Sequence, residues 1–526
     1  MTRRQVLAIC VEVASPDLME DWLAQGWMPN LARVRAAGGW APLDTVSDLS
    51  SGAIWPSFST ALMPGRHGQA FTHMQLASGS YRIVKKYADD VGPPPFWAQL
   101  APAGLTAAIV DVPQTRPLPG FAGVHVVGWG GEYPAWPRCT APPELMPEIL
   151  GRFGSHPLAE TRRIAARPET EPARRRLRAD LLRGVRAKAD LSRLVLERGP
   201  FDLFLTVFAE PHWAMHLFWD QLDEGHPLHE AETAKRYAVL FRELLAEIDL
   251  LIGELRERFP EADLMVFSLS GMGPNHSGWH LLPQVLARLG MGPPTIGRKG
   301  RQVQLGSLAS RMLRRIAVQL PPSLLDATKG LVPARFWDRS TRRLVTSAAE
   351  WAESRAFCLP NDFSGAIRIN LEGREPSGKV PGASYEAVCL EIETALRELV
   401  DVPTGRPAVR DVVRSRRAYP GPQVDDLPDL VVLWPGDLPL ETVRSPRLGT
   451  IALRSPERRS GAHRPSGFLA AAGPHVESGA RGSGSIVDLG PTLLRLLGLA
   501  VPPGLDGQAL TWLLRAGPRR GFAAVG

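Results

Sequence analysis

FDLFLTVFAEPHWAMH, residues 201–216, is the stretch that settles the fold class. Its first half, FDLFLTVF (201–208), is apolar almost throughout, the pattern of a strand buried on both faces. Its second half places acid and imidazole directly after that strand. His212 and His216 stand four residues apart, so on a helix they share one face. VLAICVEV (6–13), LTAAIVDV (105–112) and ADLMVFSL (262–269) repeat the apolar run. Helical spacing fills the gaps at 16–37, broken near Pro29, and at 174–198 and 228–258. The alternation continues through AIRIN (366–370), a helix over 383–399, LVVLW (430–434), GFLAAAG (467–473) and a helix over 486–498. Such a rhythm predicts an α/β fold, a mostly parallel central sheet with helices on both faces. Reactive groups in these sheets lie on loops beyond the strand C-termini, which singles out 12–17, 209–219 and 269–280.

The composition fits an ordinary globular chain. The 526 residues are 44% hydrophobic and 22% charged, which excludes a wholly disordered protein and a collagen-like one. Lys+Arg 61 against Asp+Glu 54 gives a net charge of +7, little for this length, and no basic motif interleaved with aromatics occurs, so nucleic acid is not an expected partner. The four cysteines, Cys10, Cys139, Cys358 and Cys389, are far apart and form no CxxC pair. No apolar run reaches the roughly 20 residues needed to span a bilayer. Glu12 and Asp17 interrupt the N-terminal apolar run before a signal-peptide core forms, so a cytoplasmic location is expected. Residues 291–350 break the strand–helix rhythm. They carry the basic, partly amphipathic stretch 297–330, read either as an inserted cap over the site or as a solvated basic helix.

Four places can carry chemistry, each with a plainer use beside it. His212 and His216 can hold one metal ion or simply pack. Ser51 follows Asp48-Leu49-Ser50 and precedes a helical run over 53–60; it is either an N-cap or a nucleophile whose phosphate rests on the helix N-terminus. His463, in GAHRP (461–465), precedes a strand and is either a ligand or structural. Glu12, ending the first strand, needs a partner if buried, either a metal or backbone N–H groups. His67 reads as a packing or capping residue, and His226 and His229 lie in a polar loop.

Taken in order, PNLARVRAAGGWAPL (29–43), SGAIWPSFSTALMPGRHG (51–68), VFAEPHWAMHLFW (207–219), VFSLSGMGPN (266–275), AHRPSGFLAAAGPHV (462–476) and IVDLGPTLLRLLGL (486–499) resemble blocks of the alkaline phosphatase superfamily. Within it they are most similar to the type I phosphodiesterase/nucleotide pyrophosphatase group. The resemblance covers most of the chain, 291–350 least. It implies a single domain over 1–526 with 291–350 as an inserted cap, and a hydrolase that normally holds two zinc-type ions.

The family's nucleophile falls on Ser51 and its late histidine on His463. The Asp after the first strand becomes Glu12. The Asp-x-x-x-His pair becomes His212 and His216, and the Asp-His pair of a later block becomes Leu269 and Ser270. Few carboxylates remain to neutralise two dications, with Glu210 as one possible neighbour. The resemblance therefore implies one divalent ion, zinc by its donors, on His212, His216 and His463, with Glu12 as ligand, base or supporting carboxylate. A water activated at that ion is then the alternative nucleophile to Ser51. Asn275 and His276 are candidates to compensate for the changed block. The implied activity is metal-dependent hydrolysis of a small phosphate ester or phosphodiester. The alternative is an inactive relative that binds an anionic ligand or a protein partner.

Overall fold

The computed structural model describes residues 4–12, 14–46, 49, 51–70, 74–85, 90–130, 138–159, 170–292, 348–361, 364–456 and 459–515. The elements that carry the site are β1 (Val6–Val11), α1 (Ser51–Thr60), β2 (Leu203–Phe208), α2 (Glu210–Leu222), β3 (Asp263–Ser268), β4 (Gly271–Pro274), β5 (Gly461–Arg464) and β6 (Ser466–Ala472).

A nine-stranded sheet runs in the order 484–485, 39–44, β6, β3, β1, β2, 107–110, 123–127, 139–141. β1 lies parallel between β2 and β3, with Val6 opposite both Leu203 and Asp263. The strand at 107–110 continues the parallel pairing on β2, and 123–127 on that strand. β6 runs antiparallel between β3 and 39–44, and 139–141 is antiparallel at the far edge. Alternation along β1 divides the core. Leu7, Ile9 and Val11 join the cluster under the helices at 171–196, α2 and 231–258. Val6, Ala8 and Cys10 join the cluster under α1 and the helix at 489–496. Both faces are thus helix-covered, which is why β1 is wholly buried and reads as one apolar run.

AIRIN and LVVLW do not extend this sheet. Residues 365–369 and 430–433 pair antiparallel in a separate four-stranded sheet with 356–359 and 411–414. Its own apolar cluster takes Ile367, Ile369, Leu430 and Val432 on one side and Val388, Ile392 and Leu396 of the helix at 385–397 on the other. Short buried strands look alike in sequence whichever way their neighbours run, so the order of pairing was not readable there. The expected cap lies almost entirely outside the described residues. Among the described helices none is long and apolar enough to cross a membrane.

The topology fixes where chemistry gathers. β3, β1 and β2 are adjacent, parallel and end at one edge. Glu12, Glu210 and Ser270 each follow one of these strands within two residues. β6 is antiparallel and therefore begins at that edge, with Phe468 opposite Ser268. This brings His463, three residues before β6, back to the same place.

Candidate metal centre

His212 and His216 lie one turn apart on α2 and are buried. His463 sits on β5, paired across the β4–β5 ribbon with Met272. The three rings converge, with centroid separations of 4.5 Å for His212–His216, 4.9 Å for His212–His463 and 5.1 Å for His216–His463. One ring nitrogen from each lies within 4.8 Å of the others. It is the one such grouping of metal-capable side chains among the described residues.

Two of the rings are hydrogen-bonded through Nδ1, and the third has a carboxylate near it. His216 Nδ1–H donates to the Gly461 carbonyl at 2.7 Å. His463 Nδ1 and the Ser270 hydroxyl are 3.1 Å apart. His212 Nδ1 is 3.4 Å from the Glu12 carboxylate, whose Oε1 also accepts from Trp55 Nε1 at 3.2 Å. Burial, then the neighbouring charges of His212, Arg459 and His463, push the His216 imidazole well below its ordinary pKa. The neutral ring is the form that binds a metal.

Local backbone makes the convergence possible. Helical torsions break at Phe218, and the His216 carbonyl accepts from Ser460 N–H at 2.9 Å. β5 is thereby held against the middle of α2. Gly461 is needed there, because a Cβ would stand 2.2 Å from the Met215 carbonyl oxygen.

The other expected positions divide. Leu269 is buried in the core cluster on the α1 side. Ser270 touches the site only through His463. Ser51 is the first residue of α1, and its side chain lies outside the described residues. Trp55, one turn later, ties the start of that helix to Glu12. Glu210, weighed as an acidic neighbour of the ions, instead accepts from His156 Nε2 at 2.8 Å. His276 stacks on His226 with centroids 5.4 Å apart, and Asn275 donates to the Arg459 carbonyl at 3.2 Å. Neither belongs to the histidine grouping. His67 is structural: its Nδ1 accepts from Gln69 N–H, so Nε2 carries the proton given to Ser57. Burial lowers its pKa to about 3.

A sequence profile described as type I phosphodiesterase / nucleotide pyrophosphatase matches residues 6–441. The chain belongs to this family. Its sheet and helices form the alkaline-phosphatase-like α/β architecture of that superfamily. The profile match ends before His463, so it is the geometry that brings this residue beside His212 and His216. Solved structures of human ectonucleotide pyrophosphatase / phosphodiesterase 5 align over 98% of this chain and 100% of theirs, at 12% identity and a TM-score of 0.46. The murine protein aligns over 97% and 100%, at 12% identity and 0.48, and one of its structures is an inactive variant in complex with AMP. No curated protein matches.

The family's typical divalent metal can be tested against these residues. Three buried imidazoles suit a zinc-type ion and not magnesium or calcium, which take oxygen ligands. Ideal tetrahedral Zn–N bonds of about 2.0–2.1 Å need nitrogens roughly 3.3 Å apart. The 4.8 Å grouping therefore needs only small side-chain rotations to close. The donor set fits.

One feature of this edge carried no sequence signal. Asp111, Lys188, His156 and Glu210 form a wholly buried network beside the start of α2. Lys188 pairs with Asp111, which also accepts from the N–H groups of Trp129 (2.9 Å) and Gly130 (2.7 Å). Burial alone would raise the Asp111 carboxyl, but Lys188 and these donors hold it below the ordinary range.

Proposed function

We propose that the chain is a metal-dependent hydrolase acting on small phosphate esters or phosphodiesters, with one zinc-type ion on His212, His216 and His463. The convergence of those three rings, with His216 and His463 held through Nδ1 and His212 beside Glu12, carries the reading. Nε2 of each ring is then the metal-facing atom, and a bound ion would supply Lewis-acid polarisation of a phosphoryl oxygen.

The roles of the residues follow from their placement. Glu12 is assigned to orient His212 and to offset charge at the site, with its Oε1, which faces His212 Nδ1, held by the Trp55 indole N–H. Ser270, where the family has histidine, orients His463. Ser51 at the start of α1 is assigned as the attacking hydroxyl, with the helix N-terminus facing the phosphate it attacks. A second reading, a relative that binds phosphorylated ligands without turnover, is favoured by one observation: Leu269 fills a ligand position with apolar side chain in the core.

Turnover of bis(4-nitrophenyl) phosphate and of 4-nitrophenyl phosphate by zinc-supplemented protein separates the two readings. Hydrolysis that disappears in His216→Ala supports the first; a folded, zinc-bound protein that turns over neither substrate establishes the second. In the same assay Ser51→Ala abolishes turnover if Ser51 attacks, and only weakens it if water does.

A further inference from the structure

The hairpin that joins strands 356–359 and 365–369 of the four-stranded sheet reaches across to the start of α1. Leu49 stands two residues before Ser51 and is wholly buried. Its N–H donates to the Val46 carbonyl at 3.2 Å, which closes a turn ahead of the helix. Its carbonyl lies outside the hydrogen-bond ladder of α1, so a partner must come from elsewhere in the fold. Two side chains of the hairpin supply it. Asn361 Nδ2 donates to that oxygen at 2.8 Å and the Ser364 hydroxyl at 3.0 Å. Asn361 Nδ2 also donates to Ser364 Oγ at 2.6 Å. The serine's single proton is thereby directed at Leu49 and a lone pair at Asn361. Asn361 and Ser364 lie 312 and 315 residues along the chain from Leu49, so only the fold brings them to it.

Packing stiffens this hold. Phe357 and Leu359 of the hairpin share one apolar cluster with Leu49, Ile54 and Trp55. Ser364 is itself buried. At the other end of strand 365–369, Tyr81 fastens the same sheet by donating its hydroxyl to Asn370 Oδ1 at 2.7 Å. Within α1, Trp55 donates to Glu12. The start of the helix is therefore held at two points, by the hairpin before Ser51 and by Glu12 after it.

We propose that Asn361 and Ser364 are positioning residues for the hydrolysis: through the Leu49 carbonyl they set where α1 begins, and so place Ser51 relative to the three histidines. They act through Leu49 and not on the substrate. Their effect on chemistry rests on the hydrolase reading with Ser51 as the attacking group, whereas their hold on the chain at Ser51 does not. Displacing a reacting group by about 1 Å costs on the order of a hundredfold in rate, so the anchoring of one carbonyl is enough to matter.

Two readouts on the full chain test this. In kinetics of the zinc-loaded protein with bis(4-nitrophenyl) phosphate, Ser364→Ala and Asn361→Asp, which is nearly isosteric but cannot donate, should each lower kcat about tenfold or more, with KM within about twofold of the parent and zinc content unchanged. Ser364→Thr, which keeps the hydroxyl, should hold kcat near the parent value. The second readout is alkylation of Ser51→Cys by iodoacetamide, followed by mass spectrometry. Adding Ser364→Ala or Asn361→Asp loosens the segment and should speed alkylation at position 51 about threefold or more, with the rate at the half-buried Cys139 unchanged. Circular dichroism checks that each variant is folded. Unchanged kcat in both folded variants, a fall in kcat matched by loss of zinc or shared by Ser364→Thr, or alkylation at position 51 indifferent to both substitutions overturns the proposal. A parent chain that turns over no substrate defeats the hydrolase reading alone, since alkylation still decides whether the hairpin holds position 51.

Discussion

Two buried polar clusters meet at the first two turns of α2, one around Glu210 and one around His212 and His216. In the first, Lys188 pairs with Asp111, and His156, whose Nδ1 accepts from Leu158 N–H, donates Nε2–H to Glu210, so these groups are matched within the protein. In the second, three imidazoles face one another: Nδ1 of His216 bonds the Gly461 carbonyl, Nδ1 of His463 bonds Ser270, and Nδ1 of His212 lies 3.4 Å from Glu12. A matched cluster needs nothing from outside and holds elements in place. A grouping of three imidazoles has no such internal match and offers its ring nitrogens to a metal ion. The difference separates structural burial of charge from the proposed metal site on the same helix.

The comparison yields opposite predictions for its two halves. His216→Ala or His463→Ala should lower phosphodiester turnover about a thousandfold or more, some 4 kcal/mol of barrier, with little change in the urea midpoint. Lys188→Met should do the reverse. It leaves Asp111 buried without its cation and should destabilise the fold by about 3–5 kcal/mol in urea unfolding, while folded protein keeps its zinc. If instead Lys188→Met releases metal from folded protein, the two clusters are one unit and the contrast fails.

Smaller effects sharpen the histidine side. Glu12→Gln should weaken zinc affinity about 10–100-fold in competition with a chelating dye, the usual range for an orienting carboxylate. Ser270→Ala should act in the same direction and more weakly, since it removes a neutral hydroxyl from His463. An unchanged affinity in both would mean the rings need no such support.

Acid should loosen the fold away from the three clustered histidines. His67 and His125 are buried, and burial lowers both to about 3. Their unfolded-state pKa is near 6.5, so below that pH the unfolded chain binds more protons than the folded one. Stability is therefore complete above about pH 6.5 and falls as pH drops toward 3, by up to about 1.4 kcal/mol per unit for each histidine. Urea midpoints measured between pH 7.5 and 5 in His67→Gln check the slope, which should be shallower than in the parent chain.

The parallel core was legible because strands buried on both faces must be apolar throughout, and β1, β2 and β3 are. The three histidines were joined through the resemblance to the family's blocks; their spacing alone left His212 and His216 as ligands or packing residues and His463 as a ligand or structural. What was not legible depends on pairing and reach. The antiparallel sheet at 365–369 and 430–433 has the same apolar strands but a different neighbour order. Asp111 and Lys188 are 77 residues apart and carry no motif, so only the fold reveals them as partners. The indole N–H of Trp55 on Glu12 is visible only once α1 is docked.

Zinc content of the purified chain, measured by inductively coupled plasma mass spectrometry alongside His212→Ala, His216→Ala and His463→Ala, tests the central claim most directly. The account predicts about one zinc per parent chain and close to none in each variant, all remaining folded. A well-folded parent chain that takes up no zinc, or one that keeps its zinc when any of the three histidines is removed, would contradict it.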